Sequence, residues 1–294
     1  MEFTKAHGTA NDFVVVVDLE DQIELSAVLV RALADRRRGV GADGVIRITA
    51  GVPGADVGMD YRNADGSVVE TCGNGLRVVA KHVVDHGLVR PTDDGGLTIA
   101  TRAGVAPVEV RRGADGRVAQ VTVEMGVPVL DPAELPFETD EPDAPTHRIE
   151  VDGGSVEVAV VSMGNPHAVT VVDDVSSAPV AVLGPRVETH PRFPAKANVG
   201  FAEVVDAATV RLRVWERGVG ETAACGSGAC AAVVALQRLG QVGDEVDVQL
   251  PGGTLAVRYT AGGSVIMTGP AVEVYHGVLD EAWIEAARNG EVTP

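Results

Sequence analysis

The sequence repeats itself at one spacing. Cys72-Gly73-Asn74-Gly75 returns as Cys225-Gly226-Ser227-Gly228 (225 − 72 = 153), and Gly87 and Gly240 stand at the same interval. Between motif and glycine, the apolar stripe Leu76, Val79, Ala80, Val83 recurs as Ala229, Ala232, Val233, Leu236. Its i, i+3, i+4, i+7 spacing is that of one face of a helix. Asn11 and Asn165, each leading into a Val-rich run, fall one residue off the interval. A chain of 294 residues that duplicates a helix with its start and stop signals is expected to fold as two similar halves. Each repeated helix is expected to begin after Cys-Gly-x-Gly and to end at a glycine that tolerates a left-handed cap.

Around these helices the pattern is mostly that of strands. Val-rich stretches at Phe13 to Val17, Thr98 to Val110, Val118 to Glu124, Val156 to Val161, Ala168 to Val172, Thr209 to Val214 and Thr254 to Tyr259 read as β. Helical patterns cover 26–37, 75–86, 228–239 and 280–288. The fold class is therefore α+β, and a strand-rich half with one central Ala/Val-rich helix implies a sheet curled around that helix. The Pro- and acid-rich passage Pro128 to Pro145 reads as a linker or surface loop. We place an N-terminal domain at 1–118 and a C-terminal domain at 119–270.

Composition narrows the function. Forty-two Asp and Glu against 24 Lys and Arg give a net charge of -18, which repels polyanions. Aromatic residues make up 3% of the chain, too few for base-stacking platforms. Nucleic acid is not an expected partner, and the basic run Arg36 to Arg38 reads as a solvated helix end. No apolar run reaches the roughly 18 residues of a membrane span, and the N-terminus lacks a signal-peptide apolar region. No membrane partner is expected, and the reading is a soluble cytoplasmic protein. Three cysteines, Cys72, Cys225 and Cys230, are too few for a disulfide framework or a four-cysteine zinc site.

A cysteine directly ahead of a helix sits where unpaired N–H groups and the positive dipole end favour negative charge, so a lowered thiol pKa is expected there. Gly73, Gly75, Gly226 and Gly228 leave those N–H groups open to a carboxylate. Two such sites related by internal symmetry can hold one small substrate between two sulfurs. Racemases and epimerases use that arrangement: one thiolate removes a Cα proton and the opposite thiol returns one, while helix-start N–H groups stabilise the carbanion.

The wider motifs agree. His7-Gly8-Thr9-Ala10-Asn11-Asp12-Phe13, Arg62-Asn63-Ala64-Asp65-Gly66-Ser67, Gly164-Asn165-Pro166-His167, Asn198 and Glu216-Arg217-Gly218-Val219-Gly220-Glu221-Thr222 accompany the two cysteine motifs in order along the chain. With them the chain resembles the diaminopimelate epimerase family, which interconverts LL- and meso-diaminopimelate in lysine and peptidoglycan synthesis without a cofactor. The resemblance implies two pseudo-symmetric domains, each a β-barrel-like sheet around a central helix, with 271–294 returning to the first. It implies that Cys72 and Cys225 are the two bases, and that His167 and Glu216 position or activate a thiol. Asn11, Asn63, Asn165, Asn198, Glu216 and Arg217 would bind the substrate's carboxylates and amino groups, and Gly73, Asn74, Gly226 and Ser227 would present backbone N–H groups. It implies a small amino-acid substrate, no metal and no cofactor, and leaves a homodimer open. Departures from the family pattern are Ala10 where Gly is frequent, Leu76-Arg77-Val78 where Ala-Arg-Cys is frequent, and Ser227 where Thr is frequent.

Blander readings stand beside these. Cys230 has no matched partner, since Arg77 occupies the equivalent position, and reads as a structural core thiol. His167 alone would be a turn residue, and Asn11, Asn63 and Asn198 alone would be turn or cap residues. Asp43 is left as a turn. His82 and His86, at i and i+4, have no obvious third ligand and read as a solvated helix face. Two other functions remain in view. One is a proline racemase-like or dehydratase enzyme of the same fold; the other is a non-catalytic thiol-redox or anion-binding protein.

Overall fold

The duplicated interval is matched by duplicated topology. In the computed structural model, which describes residues 1–292, the chain divides into two compact units. One is Met1–Val123 with the segment from Gly269; the other is Glu124–Thr268. Thr293 and Pro294, the end of the expected return segment, lie outside the described residues.

The first unit runs β1 (Glu2–Gly8), β2 (Asn11–Asp18), α1 (Ala27–Ala34), β3 (Gly44–Ala50), β4 (Val57–Asn63), β5 (Val68–Val69), α2 (Gly73–Asp85), β6 (Gly96–Thr101), β7 (Gly104–Arg112) and β8 (Val118–Glu124). β1 pairs antiparallel with β2, β2 parallel with β3, β3 antiparallel with β4 and β4 parallel with β6. β6, β7 and β8 continue antiparallel, and β5 folds back on β4. The parallel step from β2 to β3 needs a crossover, which α1 supplies. α2 packs against β1, β4, β6 and β7, so the sheet wraps around it, and every residue from Gly73 to Val84 is buried.

The second unit runs β9 (His147–Val151), β10 (Gly154–Ser162), β11 (Pro166–Val171), α3 (Val180–Glu188), β12 (Asn198–Asp206), β13 (Thr209–Glu216), β14 (Gly220–Thr222), α4 (Gly226–Arg238), β15 (Glu245–Leu250), β16 (Gly253–Arg258) and β17 (Ile266–Gly269). Its pairings repeat the first set: β10 antiparallel to β11, β11 parallel to β12 across α3, β12 antiparallel to β13, β13 parallel to β15. α4 packs against β10 through β13, β15 and β16. β9 adds to the free edge of β10. On the equivalent edge of β1 lies β18 (Val272–Val278), supplied by the returning chain, and α5 (Glu281–Arg288) follows it onto α1.

Both central helices end alike. Gly87 and Gly240 take φ of 69° and 70°, a conformation that glycine adopts at no steric cost. Leu88 N–H reaches Val83 C=O at 2.8 Å and Gln241 N–H reaches Leu236 C=O at 2.9 Å. Gly87 and Gly240 donate to Val84 and Gln237. These are two Schellman caps.

Several expectations need correction. The central helices begin two residues earlier than read, because Cys72 and Cys225 are themselves the N-caps and the Gly-x-Gly forms the first turn. Thr98 to Val110 is not one strand: the chain reverses at Arg102-Ala103 between β6 and β7. α3 escaped the reading because Pro179 precedes it and Pro185 sits inside it. It is held by tertiary contact instead, with Gly184 so close to Trp215 that a Cβ there would lie 2.5 Å from the ring. Trp215 Nε1 donates to Glu188 at the end of α3 at 2.8 Å. The Pro128 to Pro145 passage is no solvated linker. It carries Leu135 and Phe137 into a core with Ile149, Phe193 and Phe201.

Gly240→Ala is expected to lose about 1 kcal/mol by forcing an L-residue into the left-handed region, lowering the melting midpoint by about 2–4 °C. Gly200→Ala, whose Cβ would meet only Leu212 and Val169 at 3.5 and 3.8 Å, should melt near the parent. Equal midpoints in a thermal scan would remove the cap argument.

Candidate active site

In the first unit, Cys72 caps α2 with extended backbone (φ -150°, ψ 114°), and its Sγ accepts the Gly75 N–H at 3.4 Å. The first backbone bond of the helix runs from Leu76 N–H to Cys72 C=O. Asn74 donates through Nδ2 to Asn11 Oδ1 at 3.1 Å. Asn11 is therefore brought to the start of α2. Asn63, at the end of β4, bonds within its own turn: Nδ2 donates to Ser67 Oγ, and Oδ1 accepts from the Tyr61 hydroxyl, both at 3.1 Å.

Residues that the sequence reading passed over hold Asn11 in place. The turn joining β1 to β2 puts Thr9 and Ala10 at φ of 53° and 64°, as a two-residue hairpin of this hand requires. Ala10 thus occupies a left-handed position where the family often carries Gly. Arg77, fully buried, ties this turn down: Nη2 donates to Thr9 Oγ1 at 2.6 Å and Nε to Pro270 C=O at 3.2 Å. Asp43 is more than a turn residue, for its Oδ2 accepts from Asn11 Nδ2 at 3.0 Å and from the Asp12 N–H at 3.2 Å. Arg36 is more than a solvated helix end. It grips Asp12 with both terminal nitrogens, at 2.9 and 2.7 Å, and reaches Asp43 at 2.7 Å. Burial alone would raise the Asp12 carboxyl, but Arg36 and Lys5 overcome it and hold it well below the usual carboxylate range.

In the second unit, Cys225 caps α4 in the same way (φ -123°, ψ 110°), with Sγ accepting the Gly228 N–H at 3.3 Å and lying 3.6 Å from Ser227 Oγ. Strand pairing sets His167 on β11 beside Asn198 on β12. Asn198 donates to Pro166 C=O at 3.2 Å and accepts the Arg217 N–H at 2.9 Å. Asn165 Oδ1 lies 3.0 Å from His167 Nε2. Burial, seconded by Arg217, lowers the His167 pKa to about 3. His167 is therefore neutral at physiological pH, with Nε2–H donating to Asn165 and Nδ1 left as an acceptor. Glu216, at the end of β13, accepts from Thr222 Oγ1 at 2.5 Å. Arg217 Nη1 donates to Ala195 C=O at 2.8 Å. Asn165 with His167 and Asn198 with Arg217 thus form two hydrogen-bonded pairs, which the pairing of β11 with β12 sets side by side.

The expected lowering of thiol pKa by a helix start fails at Cys225. Burial raises it well above the ordinary thiol value, the Glu216 carboxylate raises it further, and the Gly228 N–H and Ser227 hydroxyl only partly oppose them. Desolvation of a group 5% exposed outweighs one cap hydrogen bond. Cys230, one turn into α4, is fully buried among core side chains. His82 and His86 do not form a solvated face: His82 is 5% exposed and both rings meet Glu273 on β18.

The diaminopimelate epimerase family pattern matches residues 3–130 and 159–274. The diaminopimelate epimerase of Pseudomonas paraeruginosa is 49% identical over 280 residues, 94% of this chain and 98% of that protein. That of Variovorax paradoxus is 46% identical over 295 residues, 95% and 98% of the respective chains. Among solved structures, a hydroxyproline epimerase from Agrobacterium vitis with bound trans-4-OH-L-proline superposes with a TM-score of 0.67 at 18% identity, covering 98% of this chain and 97% of that one. A probable proline racemase from Agrobacterium radiobacter gives 0.65 at 17%, covering 95% and 93%. At such identities the likeness is one of fold, and it accords with the two-half α+β architecture. Among the described residues, no helix is long and apolar enough to cross a membrane.

Iodoacetamide alkylation checks the electrostatics. Because Cys225 is held protonated, its modification, followed by peptide mapping, should show a midpoint above the ordinary thiol value of about 8.5. A midpoint near neutrality would contradict the dominance of burial over the helix start.

Proposed function

Because this chain belongs to the diaminopimelate epimerase family and is an isomerase by that membership, we propose that it epimerises LL-diaminopimelate to the meso isomer with two thiols of its own. The observation that carries the reading is the paired cap: Cys72 and Cys225 each start a buried helix and each accept the N–H three residues on.

The proposed reaction needs one sulfur on each face of the same Cα. A thiolate on one face takes the Cα proton and becomes a thiol; the opposite thiol gives up its proton to the other face and becomes a thiolate. Electrons and protons balance without an external acceptor, and the reverse turnover restores the starting state. Since Cys225 holds its proton at rest, it is assigned as the donor in the direction that Cys72 begins. The carbanion formed beside the carboxylate is assigned to the first-turn N–H groups of Gly73, Asn74, Gly226 and Ser227, where helix dipoles favour negative charge.

Recognition of the second, non-reacting amino-acid head is assigned to Asn63, Asn165, Asn198, Glu216 and Arg217. Arg217 offers a planar fork suited to a carboxylate, and Glu216 a negative partner for an ammonium. Asn11, bonded to Asn74 at the start of α2, is assigned to the reacting end. His167, neutral and bonded to Asn165, is assigned to positioning, since its low pKa keeps it from being an imidazolium acid at neutral pH. The proline racemase-like alternative has the shared fold behind it, but a proline substrate offers no second head group for these residues.

The direct test is incubation of LL-diaminopimelate with purified protein and no cofactor, followed by separation of stereoisomers. Conversion is expected in the parent and in Cys230→Ser. Cys72→Ser and Cys225→Ser should each fall by at least about 100-fold, because a hydroxyl is a far weaker base than a thiolate. Full conversion by either serine variant would remove that cysteine from the reaction.

A further inference from the structure

The far end of α2 carries a second cluster of ionisable groups. His82 and His86, spaced i, i+4, share one helix face, and that face meets the β18 carboxylate of Glu273. His82 Nδ1 lies 2.6 Å from Glu273 Oε1; His86 Nε2 lies 3.2 Å from the same oxygen and 3.1 Å from Oε2. The two imidazoles are 4.3 Å apart and tilted by 33°. All three potential ligand atoms fall within 4.8 Å of one another.

We propose that His82, His86 and Glu273 form a binding site for a divalent transition-metal cation of the zinc class, which pins the returning strand β18 to α2. Two histidines and one carboxylate are a donor set that such ions take, with a fourth position for water. Zinc–ligand bonds of about 2.0–2.1 Å arranged tetrahedrally put neighbouring ligand atoms about 3.3 Å apart. The His86–Glu273 distances already have that value, and the His82–Glu273 distance reaches it by opening less than about 1 Å.

A cavity of about 1330 Å³ in the first unit reaches both histidines and His276, which gives water a route to the fourth position. His276 Nε2 lies 3.9 Å from Glu273 Oε2. The site lies 10 to 14 residues along α2 from Cys72, about 15–20 Å at 1.5 Å per residue. Its role is structural and independent of the thiol chemistry.

Calorimetric titration of zinc chloride into the reduced, metal-stripped full chain tests the proposal. One site per chain is expected in the parent and in the Cys72→Ser/Cys225→Ser double variant. In His86→Gln and Glu273→Gln it should weaken by more than about 100-fold, since even outer-shell partners of a metal contribute 10–100-fold. His86 is half-exposed, so His86→Gln keeps the fold, and its metal-free melting curve should match the parent's. Zinc should raise the melting midpoint of the parent and leave that of His86→Gln unmoved. No binding in the parent, equal binding in both ligand variants, or loss of the site with the cysteines would each overturn it, the last by assigning the ion to the thiols.

Discussion

A cysteine sulfur accepts a helix-start N–H in each unit, and the arrangement of both half-sites depends on that contact. With Sγ bound to the N–H of Gly75 or Gly228, each thiol is fixed at the start of a buried helix. Ser, Thr, Asp or Asn would cap more strongly, so a thiol there trades cap strength for chemistry. The helices tolerate the weaker cap because burial holds them. α2 and α4 are wrapped by their sheets, and both close on Schellman glycines.

Burial also sets the electrostatics. A helix start lowers a thiol pKa only while the thiol stays solvated; at Cys225 desolvation and the Glu216 carboxylate reverse the sign. The same competition keeps His167 neutral. At Asp12 it goes the other way, because Arg36 and Lys5 supply two cations within hydrogen-bond reach. Arg77 has the corresponding role in the backbone, compensating its own burial with Thr9 and Pro270 and so fixing the left-handed turn that aims Asn11 at α2.

Much of this was legible in the chain. The 153-residue interval revealed the two helices, their caps and both cysteines, since duplication is a signal that single motifs lack. Strands β1, β3, β4, β5, β9, β12, β14, β15, β17 and β18 and helix α3 were missed. The run Val45-Ile46-Arg47-Ile48 in β3 carries a strand signal that the reading passed over, and α3 is punctuated by prolines and held by Trp215. Arg77, Arg36 and Asp43 could not be read from sequence because the partners Asp12, Thr9 and Pro270 lie 24 to 193 residues away. Glu273 is 187 and 191 residues from the two histidines it joins, and no local pattern announces a ligand supplied by a returning strand.

The two-thiol reaction makes a definite isotopic demand. With LL-diaminopimelate in deuterium oxide, at low conversion, the proton removed goes to one sulfur while the one delivered comes from the other, already exchanged with solvent. The meso product should carry deuterium at the inverted Cα and the residual substrate should carry none. Deuterium appearing equally in substrate and product from the first turnovers would mean that one base serves both faces, and would contradict the account.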